Sequence, residues 1–267
     1  MTHRPFMIAF SLVACLMGGP VHAQPDVLRA DLRAGWQTEG GGQMVAFHLT
    51  LQDGWKTYWR APGDAGIPPH FDWSGSQNVK SVRFHWPRPE VFHVGGMQSI
   101  GYSHELVLPV EVVPIDPTKP VNLRAAVDVG VCSDICVPAS FQVGANLPRP
   151  GVADATIRRA LGQRPSTAKE AGVTGVTCEV TPQKDGLRVT AVLTMPSTGG
   201  PEVVVLEPGL PGVWVSPADV TRNGGQLRAV VDMVGPTGGA FGLQRDAIVV
   251  TVLGKHRAVE VKGCAAP

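Results

Sequence analysis

The sequence lacks the features that mark several large classes of protein. Beyond residue 24, no uninterrupted apolar run approaches the roughly 20 residues that a transmembrane helix needs. No run of Lys or Arg is present and the formal net charge is only +1, so nucleic-acid binding and attachment to a membrane surface are excluded. No phosphate loop, dinucleotide fingerprint or Ser/His/Asp hydrolase motif occurs. The chemistry therefore has to be sought in the few cysteines.

The N-terminus carries an export signal. Residues 1–23 combine a short basic start, an apolar stretch at 6–17 and small residues at the end. This order is typical of a secretory signal peptide, which we expect to be cut after Ala23. The alternative is a lipoprotein signal, in which Cys15 becomes the lipidated first residue. Either signal predicts an exported, periplasmic protein, and disulfides persist in that compartment.

Short alternating segments predict an all-β fold. Gly and Pro are frequent, with 32 and 24 among 267 residues, and helix formers do not dominate. Strands are expected at 43–51, 79–86, 106–113, 121–129, 141–147, 175–181, 187–195, 202–207, 226–233, 247–253 and 258–262. Short strands separated by turns at this spacing are typical of antiparallel sandwiches.

A change of composition near residue 150 predicts two domains. Residues 151–172 follow a Pro-Arg-Pro stretch, hold one short helix candidate at 152–161 and end in polar residues, as linkers do. We therefore expect a first β-sandwich at 24–150, a linker at 151–172 and a second β-sandwich at 173–267.

Two of the five cysteines lie in the run "DVGVCSDICVPAS" at 128–140. The run is rich in β-branched residues and contains a proline, so it predicts extended chain. Cys132 and Cys136 would be too far apart in a straight strand to bond, and residues 133–135 must therefore turn. We expect a hairpin with a three-residue loop and one cysteine on each arm.

The other two cysteines after the signal, Cys178 and Cys264, lie near opposite ends of the second domain. The long loop between them would stabilise the fold by about 4–5 kcal/mol, whereas the small ring at Cys132 and Cys136 would contribute only about 2 kcal/mol. We predict a structural disulfide between Cys178 and Cys264. The small ring is either another structural bond or a redox pair, since strained or exposed disulfides are reduced more easily.

Three blocks of the sequence resemble a known family. They are "GWKTYWRAPGDAGIPPHFDW" at 54–73, "WPRPEVFHVGGMQSIGYSHELVLPVEV" at 86–112 and "GVCSDICVPAS" at 130–140. Together they resemble the N-terminal periplasmic domain of the thiol:disulfide interchange protein DsbD, and more closely its relatives in the ScsB group. The match runs in order over about residues 27–148. The later segments "DGLRVTAVL" and "VEVKGC" resemble the second β-domain of ScsB-like chains.

This resemblance implies two immunoglobulin-like sandwiches and a thiol–disulfide oxidoreductase without a cofactor. Its cysteine pair would pass electrons from a membrane-embedded transporter, here expected on a separate chain, to periplasmic thioredoxin-like proteins. Cys136 would form the mixed disulfides and Cys132 would resolve them. Phe92 would cover the sulfurs in a cap loop hinged at Gly95 and Gly96. The family has more residues between its cysteines than this chain.

Alternatives remain open for several residues. Phe92 could be an ordinary core residue, and Asp134 could be a turn former or a like charge that raises the thiol pKa. A soft-metal site for Cu(I) or Zn could be formed with the thiols by His85, His93, Met97 and His104, but no dense ligand motif supports it and we predict no metal. An aromatic set is expected in the core: Trp55, Tyr58, Trp59, Phe71 and Trp73. The rival function is a non-catalytic binding module, either copper-binding or an assembly partner.

Overall fold

The computed structural model describes residues 27–64 and 66–267. The predicted signal peptide and Cys15 lie outside these residues. Within them, the chain is mostly β-strand with a single α-helix, which confirms the all-β, immunoglobulin-like prediction. The described residues contain no helix that is long and apolar enough to cross a membrane.

The first ten strands form two antiparallel sheets that pack against each other. They are β1 (Leu28–Gln37), β2 (Gln43–Leu51), β3 (Lys56–Gly63), β4 (His70–Asp72), β5 (Val79–Phe84), β6 (Glu90–Val94), β7 (Met97–Ser103), β8 (Glu105–Pro114), β9 (Val121–Cys132) and β10 (Cys136–Leu147). One sheet has the order β1-β2-β8-β5. The other has the order β10-β9-β3-β7-β6, with β4 paired to β9. Their shared core holds Phe47, Trp59, Leu108 and Phe141, all buried.

A short helix, α1 (Ala155–Gly162), follows the first sandwich. It begins at Ala155, not at residue 152 as the sequence suggested, because the Asp154 carboxylate caps it by accepting from two backbone N–H groups. Its apolar face buries Ile157 and Ala160 against Met44, Ala46 and Val107 on the outside of β2 and β8.

The remaining strands form a second sandwich. They are β11 (Ser166–Thr167), β12 (Gly175–Gln183), β13 (Gly186–Thr194), β14 (Val203–Glu207), β15 (Trp214–Val215), β16 (Asp219–Asn223), β17 (Gln226–Val234), β18 (Val249–Leu253) and β19 (Ala258–Lys262). One sheet has the order β11-β19-β18-β14, and the other has the order β12-β13-β17-β15 with β16 paired to β17. A separate apolar core lies between these two sheets.

The two sandwiches contact each other through the outsides of two sheets. Leu253 and Ala258 of the second sandwich are buried in the apolar cluster of the first, and Val203 and Val205 pack against that cluster. The predicted linker is also packed at both ends, since α1 lies on the first sandwich and β11 pairs with β19 in the second. The division at 151–172 stays a prediction.

Candidate redox site

The hairpin of β9 and β10 places the two neighbouring cysteines directly opposite each other. Cys132 ends β9 and Cys136 begins β10, and the two residues are partners in the antiparallel register. Their Cα atoms are 4.1 Å apart and their sulfurs are bonded. The expected hairpin with a three-residue loop is therefore confirmed. Asp134 lies exposed in that loop.

The two bonded residues differ sharply in exposure. Cys132 is 1% exposed, whereas Cys136 is exposed, as are the three loop residues between them. The difference follows from position, because Cys132 is covered by neighbouring strands and Cys136 starts an edge strand of its sheet. An incoming thiolate can therefore reach Cys136 more readily than Cys132.

Tyr58 of β3 holds its hydroxyl against the buried sulfur. Tyr58 Oη donates to Cys132 Sγ at 2.8 Å and lies 3.5 Å from Cys136 Sγ. Burial raises the pKa of Tyr58, so its hydroxyl keeps its proton and stays a donor. The ring lies over Gly130, where a Cβ atom would come within 3.1 Å of two ring carbons. A glycine at 130 thus leaves room for the ring beside the disulfide.

A cation lies in the strand next to Cys132. Lys56 of β3 is the register partner of Cys132, and cross-strand partners have Cβ atoms about 4.5–5.5 Å apart. The ammonium of Lys56 lies 4.9 Å from the centroid of the Phe92 ring. Lys56 therefore connects the aromatic residue predicted as a cap with the strand position opposite the buried cysteine.

Phe92 lies in a β-hairpin and not in an irregular loop. It belongs to β6, which pairs with β7 through a two-residue turn at Gly95 and Gly96. Both glycines have positive φ, 59° and 81°, as a type I′ turn requires. The ring is half-buried. Its role as a cap over the sulfurs stays a prediction.

Several large apolar side chains of this sheet and its loops are exposed. Ile135 between the cysteines is 65% exposed, and Val94 and Met97 at the tip of the β6–β7 hairpin are 63% and 53% exposed. Ile67 is also exposed and lies against Gly130, the glycine beneath the Tyr58 ring. Large apolar side chains that stay exposed near a reactive group are typical of docking surfaces.

The residues considered for a soft-metal site are not brought together. His85 contacts Glu111 and Arg164. His104 lies elsewhere, with its Nδ1 atom 3.6 Å from Oδ1 of Asp53. Within residues 27–64 and 66–267, no group of three or more His, Cys, Asp or Glu side chains could hold a metal ion. Four of the five aromatic residues lie in or against the first core, as expected, whereas the buried Tyr58 lies beside the disulfide.

The second pair of cysteines lies inside the second sandwich. Cys178 of β12 and Cys264 just after β19 are bonded, with Cα atoms 5.6 Å apart, and they are 0% and 6% exposed. Both belong to the apolar core of that sandwich. The Cys178 N–H also donates to the carbonyl of Ala265 at 2.8 Å, which holds the end of the chain beside β12.

Sequence reasoning missed the roles of Tyr58 and Lys56. Tyr58 was expected only as a core aromatic, and Lys56 was not singled out. A signal was present, because Lys56 and Tyr58 are two residues apart and would share a face of any strand formed there. The pairing of β3 with β9 was needed to bring that face to the disulfide.

Comparisons with known proteins agree with this geometry. The family model described as "Thiol:disulfide interchange protein DsbD, N-terminal" matches residues 24–147. No curated protein matches the chain significantly. Among solved structures, the N-terminal periplasmic domain of ScsB from Proteus mirabilis is similar to this chain, with a TM-score of 0.65, 24% identity, and coverage of 90% of this chain and 92% of that one. The ScsB likeness shows a shared fold, and the family match shows that residues 24–147 form a DsbD N-terminal-like domain, related to thiol–disulfide interchange.

Proposed function

We propose that this protein is a periplasmic thiol–disulfide oxidoreductase of the protein-disulfide reductase type. It passes electrons between a membrane-embedded thiol transporter on a separate chain and thioredoxin-like proteins. The observation that supports this most directly is the unequal setting of the two bonded cysteines. Cys136 is exposed, while Cys132 is buried with the Tyr58 hydroxyl on its sulfur.

The exchange step follows from this inequality. A partner thiolate attacks Cys136 Sγ, the bond between the two sulfurs breaks, and the electron pair leaves on Cys132 Sγ. The Tyr58 hydroxyl donates to this departing thiolate, which makes Cys132 the better leaving group. The second thiol of the partner then attacks the mixed disulfide and releases Cys136. The partner is oxidised to a disulfide, and the pair ends as two thiols. Electrons move on to a client by the reverse steps.

The surroundings suit a protein partner. Ile135, the chain neighbour of Cys136, presents an exposed apolar side chain, and a flat protein face can cover such a side chain. Thioredoxin-like proteins are the expected partners because the family match is to a domain of a thiol:disulfide interchange protein.

The test is to trap the mixed disulfide. A thioredoxin whose resolving cysteine has been replaced by serine is incubated with the oxidised protein, and peptide mass spectrometry locates the bond. We expect attachment at Cys136. The matched control uses the Cys136→Ser variant, which should trap almost none. Attachment at Cys178 or Cys264, or no attachment at all, would contradict the proposal.

A further inference from the structure

Strand β3 loses its regular pairing immediately after Tyr58. It pairs with β9 at Lys56 and Thr57, and with β7 up to Tyr58, after which the next pair is Gly63 with Ser99. Residues 59–62 therefore lie opposite a single residue of β7. Bulges of this kind re-aim side chains near functional sites. Side-chain contacts, more than ladder pairing, have to hold this part of the strand in place.

Arg60 supplies such a contact, and its partners belong to the second sandwich. Arg60 donates to both carboxylate oxygens of Glu207, each at 2.9 Å, and to Glu260 at 2.7 Å. All three side chains are about three-quarters buried. The guanidinium also lies 4.4 Å from the centroid of the Trp59 ring, which is itself fully buried. Bidentate guanidinium–carboxylate pairs have a fixed geometry, so Arg60 is fastened to β14 and β19.

Arg60 follows Tyr58 by two residues, within the segment that lacks ladder pairing. At the other end of this short connection, the Tyr58 hydroxyl donates to Cys132 Sγ. The β3–β4 loop also folds back on Tyr58, since a Cβ atom at Gly66 would lie 2.8 Å from its ring. A shift at Arg60 would therefore be passed to the ring over two residues of bulged strand.

We infer that Arg60, held by Glu207 and Glu260, is a positioning residue for the redox pair, so that the second sandwich sets the place of the Tyr58 hydroxyl against Cys132. This rests on the proposed exchange chemistry of the pair. The second sandwich contributes neither exchange cysteine. It acts on them through the contact between β3 and the carboxylates of β14 and β19.

Dithiothreitol tests the inference without a protein partner. Its thiolate attacks Cys136 Sγ, the electron pair of the broken bond leaves on Cys132 Sγ, and its second thiol closes an oxidised ring as Cys136 is released. The measured quantity is the rate of this reduction in the native protein, followed by thiol labelling and mass spectrometry. Arg60→Lys keeps the positive charge but loses the bidentate hydrogen bonding to Glu207. We expect about fivefold slower reduction, the size of one net hydrogen bond.

Two further variants show whether Arg60 acts through Tyr58. Tyr58→Phe should slow reduction by a similar factor, and adding Arg60→Lys to it should slow reduction no further.

Arg222→Lys is the matched control, because Arg222 forms a bidentate pair with Glu202 that lies within the second sandwich. Its reduction rate should equal that of the parent. Circular dichroism and unchanged protection of Cys178 confirm that each variant is folded.

Each outcome is decisive. A parental rate for Arg60→Lys, or losses that multiply in the double variant, would overturn the inference. If Arg60→Lys does not fold, Glu260→Gln keeps the Arg60–Glu207 fork and carries the same test, with a smaller slowing expected and a parental rate counting against the idea. If dithiothreitol gives the expected pattern while thioredoxin traps nothing, the proposed function fails and the positioning role stands.

Discussion

The two disulfides of this protein form a natural comparison. Cys178 and Cys264 are both buried among apolar side chains of a sandwich core. Cys132 and Cys136 lie at the end of a sheet, with one residue exposed, a tyrosine hydroxyl on the buried sulfur and a lysine opposite it. Both pairs are disulfide bonded, and what differs is the set of side chains around each bond. An apolar interior offers nothing to stabilise a thiolate, whereas the Tyr58 hydroxyl donates to the Cys132 sulfur, and Lys56 lies opposite Cys132 in the neighbouring strand.

The largest expected effect concerns stability. Replacing both Cys178 and Cys264 by serine should lower the free energy of unfolding by about 4–5 kcal/mol, because the closed loop is long. The matched change at Cys132 and Cys136 should cost only about 2 kcal/mol. Denaturant titrations of both double variants measure the two values. Equal losses, or an unchanged midpoint for the first variant, would remove the assigned difference between the bonds.

The bond that contributes less to stability should also be the one that is reduced more easily. In graded redox buffers, Cys132 and Cys136 should become labelled well before Cys178 and Cys264. We expect the latter pair to have a potential below about −300 mV, where structural disulfides of secreted proteins lie. Thiol labelling with mass spectrometry reads both pairs in one sample. A Cys132–Cys136 potential also below that value would make it a structural bond.

The β6–β7 hairpin gives a smaller test. Phe92→Ala removes the ring that holds Lys56, a contact worth about 0.5–1 kcal/mol at an exposed site. The hairpin should then move aside more often, and glutathione should reduce the Cys132–Cys136 bond about two- to fivefold faster. Val94→Ala, at the tip of the same hairpin, serves as the control and should react like the parent. An unchanged rate for Phe92→Ala would rule out the cap.

The smallest expected effect is a pH dependence confined to the first sandwich. Burial lowers the pKa of His85 from 6.5, and the nearby Arg164 acts in the same direction. Because the folded pKa is the lower one, the stability is fully present above pH 6.5 and is lost as the pH falls through the folded value. Hydrogen exchange near β5 should therefore speed up on acidification from pH 7.5 to 5.5. His85→Gln should abolish this change, and persistence in that variant would assign it to another group.

The sequence predicted the parts of the molecule in which local pattern and fold agree. The strands near 121–129 and 187–195 alternate regularly, and the turn between Cys132 and Cys136 follows from bond geometry alone. Strands β3, β6 and β7 were not predicted. Pro62 and the bulge interrupt the alternation in β3, and β7 (MQSIGYS) carries polar residues and a glycine in place of a regular apolar alternation.

The surroundings of the cysteines could not be predicted, because they depend on pairing between distant strands. Tyr58 and Cys132 are 74 residues apart in the chain, and Arg60 meets Glu260 across 200 residues. Composition and spacing do not report such distances. The cysteines themselves were found from the sequence because they lie in one hairpin, where local geometry is sufficient.

The helix α1 has a consequence for how the chain can be divided. The outer faces of β2 and β8 are apolar at Met44, Ala46 and Val107, where a free sandwich would carry polar side chains, and α1 covers them. A fragment that ends at residue 150 would uncover this patch, and such patches drive self-association. The smallest monomeric fragment that carries the exchange pair should therefore end beyond Gly162, so that α1 still covers the outer face of β2 and β8.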